Sequence, residues 1–388
     1  MENFTFFNPT KVIFGRDVIL KLGEEVSKIG KKVLILYGQG SVKKNNVYDK
    51  AVKSLINSHI TFIELGGIKS NPVLSKVKEA INIARSESVD AIIAIGGGSV
   101  IDTAKATAAG YYYSGDIWDA FSGSVKIEKA LPIFTVLTIS ATSSEMNNGA
   151  VITNEENNMK VSFFSEVTYP KVSFIDPTIQ FSLPNIQVAY GAVDMITHIF
   201  ELYFNGTPNT EVQDYIATGI VKTILRNTEI ILNNPFDYEA RAQFVWAGTL
   251  ALNGINAAGR GLGDWATHKI GHALSAIYDL PHGETLAIVL PAWMRYCMKV
   301  DVMRFAKAGR EMFDINSGLS PEETAIKGIM KLKDWFGSIG VKTSLVDVGI
   351  RVDEIPQIAS NPSITYPVGK LKLLNKDDVI NILRLANY

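Results

Sequence analysis

The segment Ala91-Ile92-Ile93-Ala94-Ile95-Gly96-Gly97-Gly98-Ser99-Val100-Ile101-Asp102-Thr103-Ala104-Lys105-Ala106 carries the pattern of a strand, a glycine turn and a helix in sequence. Its first five residues form an uninterrupted apolar run, the pattern of a strand covered on both faces. Three glycines and a serine follow, and then a segment that permits a helix. Glycines let backbone N–H groups come close to a phosphate, and a helix N-terminus adds favourable dipole charge. The stretch therefore reads as a pyrophosphate site at Gly97, Gly98 and Ser99. The plainer alternative is a glycine turn in which Ser99 caps the helix.

Outward from this stretch the alternation repeats. Val33 to Tyr37, Thr61 to Leu65 and Ile133 to Leu137 read as further strands, while Val47 to Ser58 and Val73 to Arg85 carry helical spacing. This predicts a mostly parallel sheet wrapped by helices, with ligands at the carboxyl ends of its strands. Gly38-Gln39-Gly40-Ser41 ends the first long strand but lacks a full dinucleotide fingerprint, and no acidic residue closes that strand. An acid there would bind a ribose 2′-hydroxyl and repel a 2′-phosphate. Its absence, with Ser41 and Lys43 at hand, favours NADP(H) over NAD(H). The hydroxyl-rich Thr138 to Asn147 can supply hydrogen bonds beside a cofactor, or serve only as turn and cap. Lys160, taken alone, reads as surface charge.

From about Pro184 the strand signals fade. Ile186 to Tyr203, Val212 to Arg226, Tyr238 to Gly254, Asp264 to Tyr278, Leu286 to Met298 and Pro321 to Phe336 fit helices. The natural boundary is Asp176-Pro177 to Leu183-Pro184, giving an α/β domain over 1–184 and an all-helical domain over 185–388. Four of the five histidines fall in the helical part. Asp194 and His198 are one helical turn apart in an apolar context, as are His268 and His272. His282, between Pro281 and Gly283, reads as a turn residue aimed back at that face. One carboxylate and three imidazoles from separate segments suit a divalent metal, zinc or iron, with room for a substrate. A hydrogen-bonded Asp–His pair inside a bundle is the plainer account of Asp194 and His198.

The bulk numbers exclude other classes. The net charge of −1 gives no electrostatic reason for nucleic acid or an anionic membrane as partner. Cys297 is the single cysteine, which forbids an intrachain disulfide and fits a reducing compartment. No run is long and apolar enough to span a membrane, and the N-terminus shows no secretory signal. The expectation is a soluble cytoplasmic protein in which the sequons at Asn3 and Asn205 carry no weight.

With these residues in place the chain resembles the iron-containing (group III) alcohol dehydrogenases, in the branch of butanol dehydrogenases and NADPH-dependent aldehyde reductases. The shared stretches run from Asn8-Pro-Thr-Lys-Val-Ile-Phe-Gly15 through Tyr37-Gly-Gln-Gly-Ser-Val-Lys-Lys44, Gly66-Gly-Ile-Lys-Ser-Asn-Pro72 and Ala94-Ile-Gly-Gly-Gly-Ser-Val-Ile-Asp102. They continue through Asp194 and His198, Asp264-Trp-Ala-Thr-His-Lys-Ile-Gly-His272 and Pro281-His-Gly283. The resemblance implies a dehydroquinate synthase-like fold, with an α/β dinucleotide-binding domain followed by an all-α domain. It implies Asp194, His198, His268 and His282 as metal ligands and His272 as a histidine near nicotinamide and metal, a hypothetical proton relay. Cofactor contacts are expected at Gly38, Gly40 and Ser41, at Asn71, at Gly97, Gly98, Ser99 and Asp102, and at Thr138, Thr142 and Lys160. Gln39 and Ser143 depart from the glycines usual in relatives. The implied activity is hydride transfer between a nicotinamide cofactor and a small alcohol or aldehyde, in a homodimer. A lyase of the dehydroquinate synthase type needs several cations for an anionic substrate, and few flank these histidines. A non-catalytic binding relative is the other alternative. Trp265 and the Phe163-Phe164 pair are candidates for an apolar substrate wall, or for core.

Overall fold

The computed structural model describes residues 1–316 and 318–388. The chain divides into two compact units: Phe7–Leu183 with Asn234–Thr249, and Met1–Phe6 with Pro184–Asn233 and Leu250–Tyr388.

The first unit is built on a six-stranded parallel sheet of β1 (Lys11–Phe14), β2 (Lys32–Tyr37), β3 (Thr61–Leu65), β4 (Ala91–Gly96), β5 (Ile133–Leu137) and β8 (Val172–Ile175). Their spatial order is β1-β8-β5-β4-β2-β3. Helices α1 (Val47–Asn57), α2 (Leu74–Ser86) and α3 (Gly98–Tyr112) connect the strands. The chain leaves β2 towards β3 at one edge, returns to β4 on the other side of β2, and then proceeds to β5 and β8. The order reverses between β2 and β4, so the loops Gly38–Ser41 and Gly97–Ser99 flank the switch point where such sheets take ligands. Val33, Ile35, Ile93, Ile95, Phe134 and Phe174 are buried in one core cluster, which explains the unbroken apolar runs.

A two-stranded antiparallel hairpin, β6 (Gly149–Asn154) and β7 (Met159–Phe164), was not expected from the sequence. Ala150, Ile152 and Phe163 pack with Leu74, Val77 and Ile81 of α2 in a second cluster. Phe163 is therefore core, whereas Phe164 is exposed.

In the second unit the helices are α4 (Asn185–Tyr203), α5 (Glu211–Asn233), α7 (Ala266–Tyr278), α8 (His282–Cys297), α9 (Val302–Phe313), α10 (Pro321–Ser338) and α11 (Lys376–Leu385); α6 (Tyr238–Ala251) belongs to the first unit as far as Thr249. No strand occurs among the described residues of the second unit. Among the described residues, no helix is long and apolar enough to cross a membrane. Asn205 is buried and donates to the carbonyls of Arg260 and Leu262, so its sequon lies inside the protein.

Candidate functional site

Helices α4, α7 and α8 pack on one another and bring the candidate ligands together. Asp194 and His198 lie one turn apart on α4, and His268 lies on the first turn of α7. His282 is not a turn residue: it is the first residue of α8, with Pro281 at the cap. Proline fixes a backbone angle suited to a helix start, which explains why a turn-like Pro-His-Gly opens a helix.

Asp194 Oδ1 is 3.5 Å from His198 Nε2 and 3.6 Å from both His268 Nε2 and His282 Nε2. These separations are too long for hydrogen bonds. They are close to the edge of about 3.4 Å expected between donors around a tetrahedral centre with bonds of about 2.1 Å. The ligand atoms of Asp194, His268 and His282 all lie within 4.8 Å of one another. His198 joins them through Asp194 and by stacking its ring on His268, 4.7 Å between centroids. Asp194 Oδ1 and His268 Nε2 are buried with no hydrogen-bond partner. A buried carboxylate oxygen without a partner costs free energy that a cation offsets. Burial raises the Asp194 pKa, yet the surrounding His198, His282 and His268 outweigh it and hold the carboxyl well below its usual range. The donor set fits a divalent metal.

Glu201, absent from the sequence reading, supports this face. Its Oε1 accepts from the backbone N–H of His268 at 3.0 Å and lies 2.9 Å from His268 Nδ1, while Oε2 accepts from the Trp265 N–H. A proton on Nδ1 directed at Glu201 leaves Nε2 free to coordinate, the usual carboxylate–histidine support of a metal ligand. The signal in sequence was a carboxylate within Ile199-Phe200-Glu201-Leu202, one turn beyond His198. Burial pulls the His268 pKa down, but Asp194 and Glu201 prevail and hold it up at about 9. His272 is buried, its ring 5.2 Å from that of His282 and 6.3 Å from that of His268. Trp265 lies edge-on to His268 at 5.2 Å. Asp264 accepts from the N–H groups of Lys370, Leu371 and Ala266, so it ties backbone together.

In the α/β unit the glycine turn is packed tightly. A Cβ on Gly98 would lie 2.5 Å from the Thr142 side chain, and one on Gly97 3.0 Å from Ile139. The Thr138 N–H donates to Gly96 O at 3.0 Å, which fixes the hydroxyl-rich loop over the turn. Ser143 has φ of 51°, a region that favours glycine, and its hydroxyl donates to Gly248 O at 2.5 Å. Thr142 Oγ1 accepts from the Ser144 N–H. Lys160 is buried on β7 rather than at the surface, and its Nζ donates to Asn71 Oδ1 at 2.8 Å. Asp102, expected among the cofactor contacts, commits both oxygens to protein: Oδ1 accepts from Ser144 Oγ at 2.6 Å and Oδ2 from the Val151 N–H at 2.9 Å. Lys105, also missed, is fully buried one turn further along α3.

Beside the switch point, Gly40 has φ of 106° and starts the short turn Ser41–Lys44. Lys43 Nζ lies 4.7 Å from the Tyr37 ring centre and 4.5 Å from that of Tyr48. It also pairs with Glu64 on β3 at 2.9 and 3.1 Å.

Comparison with known proteins accords with this geometry. Residues 9–177 match the iron-containing alcohol dehydrogenase family, and residues 188–387 match the C-terminal domain of the Fe-containing alcohol dehydrogenase family. The probable NADH-dependent butanol dehydrogenase 2 of Bacillus subtilis is 44% identical over 100% of both chains. The NADPH-dependent aldehyde reductase YqhD of Escherichia coli is 37% identical over 95% of this chain and 98% of its own. The crystal structure of NADH-dependent butanol dehydrogenase A from Thermotoga maritima superposes with a TM-score of 0.96 at 49% identity, covering 100% of this chain and 99% of that one. The match runs through both halves, from the parallel sheet to the helices that carry the histidines, and the chain belongs to the iron-containing alcohol dehydrogenase family.

Proposed function

We propose that the protein is a metal-dependent, NAD(P)-linked alcohol dehydrogenase or aldehyde reductase for short to medium primary alcohols and aldehydes such as butanol and butanal. One observation carries this reading: a buried carboxylate oxygen faces three imidazole Nε2 atoms at 3.5–3.6 Å without a hydrogen bond to any of them. Asp194, His198, His268 and His282 are the proposed ligands of iron or zinc. Such a metal, when bound, acts as a Lewis acid that polarises a carbonyl or lowers the pKa of an alcohol, and the nicotinamide supplies or takes the hydride.

The chain's own groups do the rest. Glu201 holds the His268 ring so that Nε2 faces Asp194. The turn at Gly97, Gly98 and Ser99 is proposed to bind pyrophosphate, with Thr138, Thr142, Asn71 and Lys160 orienting the rest of the cofactor. Gly38, Gly40 and Ser41 are assigned to the adenosine end. His272 is proposed to relay the proton, at 5.2 Å ring separation from His282. The Trp265 ring is the proposed apolar wall next to the metal face. The domain assignment that goes with these roles is 1–184 for cofactor and 185–388 for metal. A cytoplasmic homodimer completes the reading. The expectation of NADP(H) over NAD(H) rested on the absence of an acid at the end of β2, with Ser41 and Lys43 at hand, and the pairing of Lys43 with Glu64 weakens it.

The test is metal content and turnover together. Purified protein reconstituted with iron or zinc should consume reduced cofactor with aldehydes from propanal to hexanal. His268→Ala and His282→Ala should lose bound metal by mass spectrometry while keeping native circular dichroism. Full metal content in both variants would overturn the ligand set. In His272→Ala, an unchanged pH–rate profile at full activity would remove the relay.

A further inference from the structure

The Glu64 carboxylate belongs to β3, yet it acts at the end of β2. Parallel pairing sets Ile35 of β2 opposite Glu64 of β3, three residues before Gly38, where the turn begins. From there Glu64 reaches Lys43, which follows Ser41 by two residues. The Tyr48 hydroxyl donates to the same carboxylate. Tyr48 and Lys43 together hold the Glu64 carboxyl below its ordinary range against the opposing effect of burial, so it is charged at neutral pH. Lys43 is further confined between the rings of Tyr37 and Tyr48. A Cβ on Gly66 would lie 2.4 Å from the Tyr37 ring, so the chain leaving β3 is packed against this cluster.

An acidic group at the strand end beside the phosphate turn favours a ribose 2′-hydroxyl and repels a 2′-phosphate. The end of β2 itself has none, but the neighbouring strand delivers one to the same corner of the switch point. We propose that Glu64 is a specificity-determining residue that makes this protein prefer NADH over NADPH, by neutralising Lys43 and by placing its own negative charge where a 2′-phosphate would lie. Lys43, the cation nearest Ser41 in the sequence reading, is thereby made unavailable to a phosphate. This rests on the reading of the protein as a nicotinamide enzyme.

The experiment is a double-mutant cycle over Glu64→Gln and Lys43→Met, measured as kcat/KM and as dissociation constants for NADH and NADPH with the metal-loaded full chain. The native protein should favour NADH. Glu64→Gln should raise the NADPH-to-NADH ratio by about tenfold or more, the scale of one charge-assisted hydrogen bond gained. Lys43→Met should change that ratio little in the native background and abolish the gain in the Glu64→Gln background. Binding constants are read independently of turnover. Failure to bind either nicotinamide would overturn the enzyme reading itself. Binding of both, with a native preference for NADPH or a ratio unmoved by Glu64→Gln, would overturn the role of Glu64 alone.

Discussion

Lys105 shows how much a single buried side chain can determine. It has no solvent exposure, and its ammonium donates to Ser144 Oγ at 2.8 Å, Asn147 Oδ1 at 2.9 Å and Gly149 O at 2.8 Å. Three donors meet three acceptors, and all three acceptors lie between the hydroxyl-rich loop and the start of β6. With Asp102 holding Ser144 from the same helix, the pair fastens that loop to the helix that begins at the glycine turn. Lys105→Met would leave Ser144 Oγ, Asn147 Oδ1 and Gly149 O without their donor and should cost at least about 2 kcal/mol, since each buried acceptor left unmade costs about 1–3 kcal/mol. Urea unfolding checks this, and a loss below about 1 kcal/mol would show the network to be incidental. Burial pulls the lysine down to about 8, with Asp102 and Glu145 opposing. Because the folded value lies below the unfolded one, the unfolded chain binds more protons above pH 8. The contribution of Lys105 to stability therefore rises with pH from about 8 towards the unfolded lysine value of about 10.5. The stability gap between the native protein and Lys105→Met should widen across that window.

At the scale of elements, the glycine turn and the loop above it behave as one part. Gly98→Ala would drive a methyl group into Thr142, which the Ser144 N–H already holds. The variant should fold normally and bind either reduced nicotinamide at least about tenfold more weakly, as expected where backbone must approach a phosphate closely. Native affinity measured by fluorescence titration would sink this account of the turn. The central strands and most helices were legible because each carries one dominant period: Thr61–Leu65 and Ile133–Leu137 have the bounds read from the sequence. What was missed has physical reasons. The hairpin β6–β7 is short, its polar turn residues mask the alternation of Ala150 and Ile152, and Lys160 looks exposed until Asn71 meets it. Helix α9 follows Asp301, whose side chain accepts from the Arg304 N–H, a capping signal left unread. Glu201 and Glu64 act on side chains of other elements, and such pairings depend on tertiary packing that periodicity does not encode.

For the whole chain, the histidine set links segments far apart in sequence. Asp194 and His198 come from one helix, and His268 and His282 from two others. Without a cation, the helical unit must keep a buried carboxylate oxygen unpartnered beside imidazoles, which is costly in a low-dielectric interior. A cation that binds only the folded state adds stability by mass action, about 4 kcal/mol at a thousandfold excess over its dissociation constant. Chelation should therefore lower the melting temperature by several degrees, since about 1 kcal/mol moves a domain of this size by about 2–4 °C. Glu201→Gln should weaken metal binding by about 10- to 100-fold, because the ring it orients loses its anionic partner and an amide NH2 cannot accept from the Trp265 N–H as Oε2 does. Asp194→Ala tests whether the effect arises at this site. The variant lacks the central oxygen, so its melting temperature should be the same with and without iron or zinc. If added metal raised the melting temperature of Asp194→Ala as much as that of the native protein, the stabilising ion would be bound elsewhere. The arrangement around Asp194 would then be a packing solution for buried histidines rather than a metal centre.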